Sequence, residues 1–163
     1  MSSQIISVDL SQIDTTPKFR VGQLYTDELG NTYRYMQADG AVTAYEPMSY
    51  RANTWQIEDQ LDLGVTPADT QSVPFCVWDG SSTALADDEY AWVFVGPGIF
   101  TCKVAGNVAA DALVYGHATA GQIDDAATAM LLRGVSAPVA ITASAGETGT
   151  FHAALPLYAV DLP

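Results

Sequence analysis

The sequence predicts an all-β fold: a compact β-barrel or β-sandwich of short antiparallel strands with an extended N-terminal arm. Two observations predict it. Short runs rich in β-branched and aromatic residues recur along the chain, such as TYRYMQA at 32–38, EYAWVFV at 89–95 and MLLRGVS at 130–136. Between them lie turn-forming clusters, including DELGN at 27–31, Asp39–Gly40, Asp79–Gly80, GPG at 96–98 and AGETG at 145–149. One stretch departs from this pattern: TWQIEDQLDL at 54–63 reads as a short helix capped by Asn53 or Thr54, with Trp55, Ile57 and Leu61 inward.

In order along the chain, residues 1–18 read as an extended arm, and residues 19–163 as a single β-rich domain. IISVDLSQID alternates weakly, and Thr15, Thr16 and Pro17 then break the pattern. VGQLYT and TYRYMQA form a hairpin around DELGN, with Tyr33 and Tyr35 on one strand face and Arg34 and Met36 on the other. AVTAY at 41–45 is a short strand, residues 47–88 are the least regular part, and VPFCVW at 73–78 is a strand. EYAWVFV and IFTCKV, separated by GPG at 96–98, read as the clearest strand pair in the chain, and Pro97 makes the chain bend or reverse there. ALVYGH, MLLRGVS, VAITAS and TFHAALPLYAV supply the rest.

Composition narrows the function classes. With 163 residues the chain is long enough for one domain with a core that needs neither metal nor disulfide. Charged residues are only 15% of it, so part of the surface is neutral or apolar and suited to cover by a partner. The net charge of −13 repels phosphate backbones, and the six cations (Lys18, Arg20, Arg34, Arg51, Lys103, Arg133) are scattered, which argues against nucleic acid. No apolar run reaches membrane-spanning length, and the N-terminus lacks a secretory pattern, so synthesis in a cytoplasm is expected. Cys76 and Cys102, in PFCVW and FTCKV, read as buried thiols, with a disulfide between them as the alternative.

No stretch carries a clear catalytic or metal-binding motif. TAGQIDDAAT at 119–128 resembles the GxIDxxY segment of dUTPases, but Ala127 stands where the base-stacking Tyr belongs, and the phosphate-binding motifs are missing. It reads instead as a turn, with Gly121 supplying positive φ and Asp124 and Asp125 capping loop amides. The acidic groups at 58–62, 87–89 and 124–125 match no calcium loop; Asp87 and Asp88 are the best placed of them for calcium. His117 and His152 are too few for a zinc site, and no GxSxG or phosphate-binding glycine motif occurs. The expectation is a protein that is not an enzyme and uses no cofactor and no metal. Trp92, Phe94 and Phe100 suit a β core, whereas Tyr33 and Tyr35, flanking Arg34, are a candidate interface face.

Three stretches together resemble one family: FRVGQLYTDELGNTYRYMQADGAV, EYAWVFVGPGIFTCKVAGNVAADALVYGHATAGQIDD and LLRGVSAPVAITASAGETGTFHAAL. Their order is similar to that of tailed-bacteriophage head decoration proteins, the capsid cement proteins, over residues 19–155. The resemblance implies a non-catalytic virion protein that binds the outer surface of an assembled capsid and stabilises it. Its implied partners are the major capsid protein and further copies of itself, commonly as a homotrimer. It also implies an N-terminal arm that adds a strand to a capsid subunit. On that reading the candidate contacts are Ile5, Ile6, Val8 and Leu10 in the arm, with Pro17 and Phe19 at its hinge, all on a segment too short to bury itself. The alternative is a carbohydrate- or receptor-binding β module on a phage head or tail fibre, which would work through exposed aromatics.

Overall fold

The computed structural model describes residues 8–60, 73–117, 119–126 and 130–160. Among them no helix occurs, and twelve strands form an all-β fold: β1 (Leu24–Thr26), β2 (Thr32–Ala38), β3 (Pro47–Arg51), β4 (Gln56–Gln60), β5 (Val73–Val77), β6 (Tyr90–Phe94), β7 (Gly98–Lys103), β8 (Leu113–Gly116), β9 (Ile123–Asp124), β10 (Leu131–Ser136), β11 (Thr148–Ala153) and β12 (Tyr158–Val160). Five of them close into a barrel in the order β2–β4–β3–β5–β6, with β6 returning to β2. Only the β2–β4 pair in that ring is parallel. From the start of β5 the sheet continues outward through β12, β10, β11 and β7. β8 and β9 lie on the other edge of β10, and a bridge between Val104 and Ile123 brings the two ends of this outer part together.

Strand alternation explains how one set of residues serves two cores. Met36, Ala38, Met48, Ile57, Cys76, Ala91 and Val93 belong to one apolar cluster, with Trp78 and Leu85. Their sequence neighbours Tyr35, Phe75, Val77, Trp92 and Phe94 point the other way, into a second cluster completed by Phe100, Leu132 and Phe151 from the outer strands. β5 and β6 are therefore covered on both faces, which is why FCVW and AWVFV read as unbroken apolar runs. In the second cluster Phe94 stacks on Phe100 at 4.9 Å between centroids, and Phe151 follows Phe100 at 5.8 Å. Such ring pairs contribute about 0.5–1.5 kcal/mol each beyond area burial.

Most elements lie where the sequence puts them, with three corrections. TWQIEDQLDL contributes strand β4 instead of a helix. Trp55 takes φ +58°, a turn conformation, and the chain then runs alongside β2 and β3, which places Ile57 in a core. Pairing with two neighbours outweighs the local helical pattern. Leu61 lies outside the described residues. AVTAY and VAITAS make only single bridges, Val42 with Leu85 and Ile141 with Val108. EYAWVFV and IFTCKV become β6 and β7 but do not form the expected pair: the chain bends between them, so that β6 pairs with β2 and β5 while β7 pairs with β11. In the β1–β2 turn Asp27 Oδ1 accepts from the amides of Leu29 and Asn31 at 2.9 and 2.8 Å, and Gly30 takes φ +87° as that turn requires.

The edge of β7 away from β11 is closed without a partner strand. Ile99 N donates to Asn31 Oδ1 (2.7 Å), Thr101 N to Asp79 Oδ2 (3.2 Å) and Lys103 N to the Tyr45 carbonyl (2.7 Å). Three acceptors from the barrel side thus occupy alternate amides that would otherwise be a pairing edge. Burial pushes the Asp79 carboxyl up to about 6, although its backbone hydrogen bonds act in the opposite direction. Because the folded pKa is raised, the stability that this group contributes is full below about pH 4 and is lost as pH rises through about 6. A rise of that size corresponds to at most about 3 kcal/mol. Asp79→Asn keeps an acceptor for Thr101 N and removes the buried charge. The variant is expected to unfold at a higher temperature than the parent at pH 8 and to lose that advantage at pH 4. Equal differences at both pH values, measured by thermal unfolding, would contradict this.

Candidate functional site

Those predicted interface residues that the structure describes lie on β2 and on the segment that precedes β1. Asp14 forms an antiparallel bridge with Tyr90, with the two backbone hydrogen bonds at 2.9 and 2.8 Å. Its carboxylate is 5% exposed, accepts from the Tyr35 hydroxyl at 2.7 Å, and pairs with Lys18 Nζ at 2.7 Å. The Tyr35 hydroxyl in turn accepts from Lys18 N at 3.2 Å. Burial raises the Tyr35 phenol above its ordinary pKa, and the hydrogen bond to Asp14 adds to the rise. The Phe19 ring packs edge-on against Tyr35 at 5.3 Å and against Trp92 at 5.1 Å.

This geometry changes the roles expected for several residues. Val8, Leu10 and Phe19 are partly buried against the chain's own core, so from residue 8 onward the segment before β1 packs on the fold through its apolar side chains. Pro17 is exposed, and Ile5 and Ile6 lie outside the described residues. Tyr33 and Tyr35 are 7% and 0% exposed, in the core and not on an outward interface face. The period-2 pattern gives their common face correctly; the outer strands and Phe19 cover that face. Trp92, Phe94 and Phe100 are buried in the same core.

Arg34 lies on the opposite face of β2. Its guanidinium sits 3.8 Å from the centroid of the Trp55 ring, Nη1 donates to the Gly22 carbonyl at 2.9 Å, and Nε is buried without a hydrogen-bond partner. Gly22 has φ +87°, and a Cβ there would overlap the Trp55 indole, so no other residue lets the chain pass so close to the ring. Beside it a recess of about 360 Å³ is lined by Arg20, Val21, Gly22, Gln23 and Trp55. No motif in the sequence marks this recess. Its parts are more than thirty positions apart, and a tryptophan at positive φ leaves no sequence signal.

The remaining candidates resolve locally. Asp125 Oδ2 accepts from Ala109 N at 2.7 Å and Asp124 Oδ1 from Asp125 N at 2.7 Å, while Gly121 has φ +76°. Asp124 is also part of β9, opposite Tyr115. Asp87 accepts from Gly40 N and Asp88 from Gln37 Nε2, tying the loop before β6 to β2 and its turn. Among the described residues no three His, Cys, Asp or Glu side chains are grouped to hold a metal ion. His117 Nδ1 accepts from Thr119 N at 3.0 Å, and His152 is exposed on β11. Cys76 and Cys102 are free, fully buried thiols, held above their ordinary pKa by that burial. The chain matches no protein-family model and no curated protein.

Phe19 distinguishes a packed segment from a loose arm. Phe19→Ala removes a ring lodged between Tyr35 and Trp92 and is expected to cost about 2 kcal/mol, roughly half the value for a fully buried phenylalanine. Denaturant unfolding checks it; a change below about 0.5 kcal/mol, the range of an ordinary surface substitution, would show that the segment does not hold the fold.

Proposed function

We propose that this chain is a structural virion protein that binds the outer surface of an assembled phage capsid and stabilises it without catalysis, acting as a homotrimer on the major capsid protein. The observation that carries the reading is the order of the three family-like stretches between residues 19 and 155. Two features support it. The stretches coincide with framework: the first spans β1 and β2, the second β6 to β9, and the third β10 and β11. The surface is also poor in charge for a chain of this length, and Leu29, Val139 and Leu113 are 85%, 65% and 61% exposed, which suits apolar contact with neighbouring subunits.

Within this reading the arm's contact with the shell narrows to residues 1–7. Val8, Leu10 and Phe19 would have to leave their own core to reach a capsid subunit, and Ile5 and Ile6 are the remaining apolar candidates of the arm. The test uses the double variant Ile5→Asp with Ile6→Asp, added to heads that lack the protein. The parent chain is expected to raise the temperature at which heads release their DNA, and the variant to raise it less at the same unfolding temperature of its own domain. Heads equally stable with and without the parent chain would refute the capsid-stabilising role.

A further inference from the structure

We propose that the recess beside β1 is a binding site for a carboxylate carried on an acidic side chain of a polypeptide partner. It goes beyond the capsid reading and does not depend on it. The chain has 19 acidic and 6 basic residues, so a site that attracts anions has to come from a local concentration of cations that its own carboxylates leave unneutralised. Among the described residues, Lys18 pairs with Asp14, Arg51 with Asp39 and Glu58, and Lys103 with Glu46. No described carboxylate lies within ion-pair distance of Arg20 or Arg34. These two come to one place, Arg20 lining the recess and Arg34 against the indole that also lines it.

The arrangement is built rather than incidental. Arg34 is held by the Trp55 ring and the Gly22 carbonyl, and its buried Nε has no partner, so its charge is positioned and not discharged. Trp55 keeps its place at φ +58°, a conformation that non-glycine residues adopt at a cost and that recurs at ligand-binding positions. Gly22 leaves room for the indole where any side chain would fill it.

The lining selects the ligand. Arg20 and Gln23 both line the recess; the guanidinium is a planar fork of N–H donors that matches a carboxylate, and the Gln23 amide is a further donor. Val21 and the indole supply an apolar wall for a short aliphatic stem, which a glutamate or aspartate side chain has and inorganic phosphate lacks. A cationic ligand is disfavoured because Arg34 already lies over the indole. A volume of about 360 Å³ is at the small end of ligand sites and holds one or two side chains rather than an extended molecule.

The experiment follows the Trp55 indole N–H by two-dimensional NMR on the full chain at low salt, with hexaglutamate peptide, inorganic phosphate and D-glucuronate added separately. Hexaglutamate is expected to give a saturable shift. Arg20→Gln should weaken that binding about tenfold or more, as the loss of a charge-assisted hydrogen bond implies, while Arg20→Lys keeps part of it. Unchanged indole signals of the buried Trp78 and Trp92 in each variant show that the fold is intact. The proposal is overturned by the absence of a saturable shift, by an equal affinity in Arg20→Gln, or by tighter binding of phosphate or glucuronate than of the peptide.

Discussion

The structure depends on β5 and β6 being buried on both faces. Cys76, Ala91 and Val93 sit in one core, while Phe75, Val77, Trp92 and Phe94, their immediate neighbours, sit in the other. These strands are a shared wall, so the barrel and the outer strands cannot separate without exposing the Phe94–Phe100 stack and the rings around Trp92. The same strands also close the ring, β6 onto β2 and β5 onto β3. A substitution in FCVW or AWVFV therefore acts on two packed interiors at once. Interiors packed to crystal-like density tolerate little change in volume.

The segment before β1 is fastened to that wall. Asp14 bridges Tyr90 at the first residue of β6 and takes the Tyr35 hydroxyl from β2, and Phe19 lies against Trp92 and Tyr35. The buried carboxylate is acceptable because Lys18 and Tyr35 both reach it. On the opposite face of β2, Arg34 and Trp55 fix the approach to β1 through Gly22. β2 thus joins the N-terminal segment on one side to the cation-lined recess on the other.

Much of this was legible in the sequence because it is local. Alternation in TYRYMQA, the Asp27–Asn31 turn and the unbroken runs of β5 and β6 each follow from residues a few positions apart. What was not legible depends on pairing at a distance. The parallel β2–β4 pair turns TWQIEDQLDL into strand, and ring closure joins β5 to β6 and β6 to β2 across intervening segments. Period-2 spacing assigned Tyr33 and Tyr35 to one face, but which face is covered is decided by strands β7, β10 and β11, over sixty residues later in the chain. The Arg34–Trp55 contact is equally non-local, so the recess was missed while its residues stood in plain view.

The proposed function draws on what such a double-cored domain presents outward: few charges, and exposed leucine and valine side chains such as Leu29 and Val139. The most direct measurement is co-sedimentation of the purified protein with undecorated heads of the phage that, on the proposed function, would encode it. The proposed function predicts saturable binding at a fixed ratio to the capsid subunit. Protein that stays in the supernatant at every concentration, with the heads intact, would contradict it.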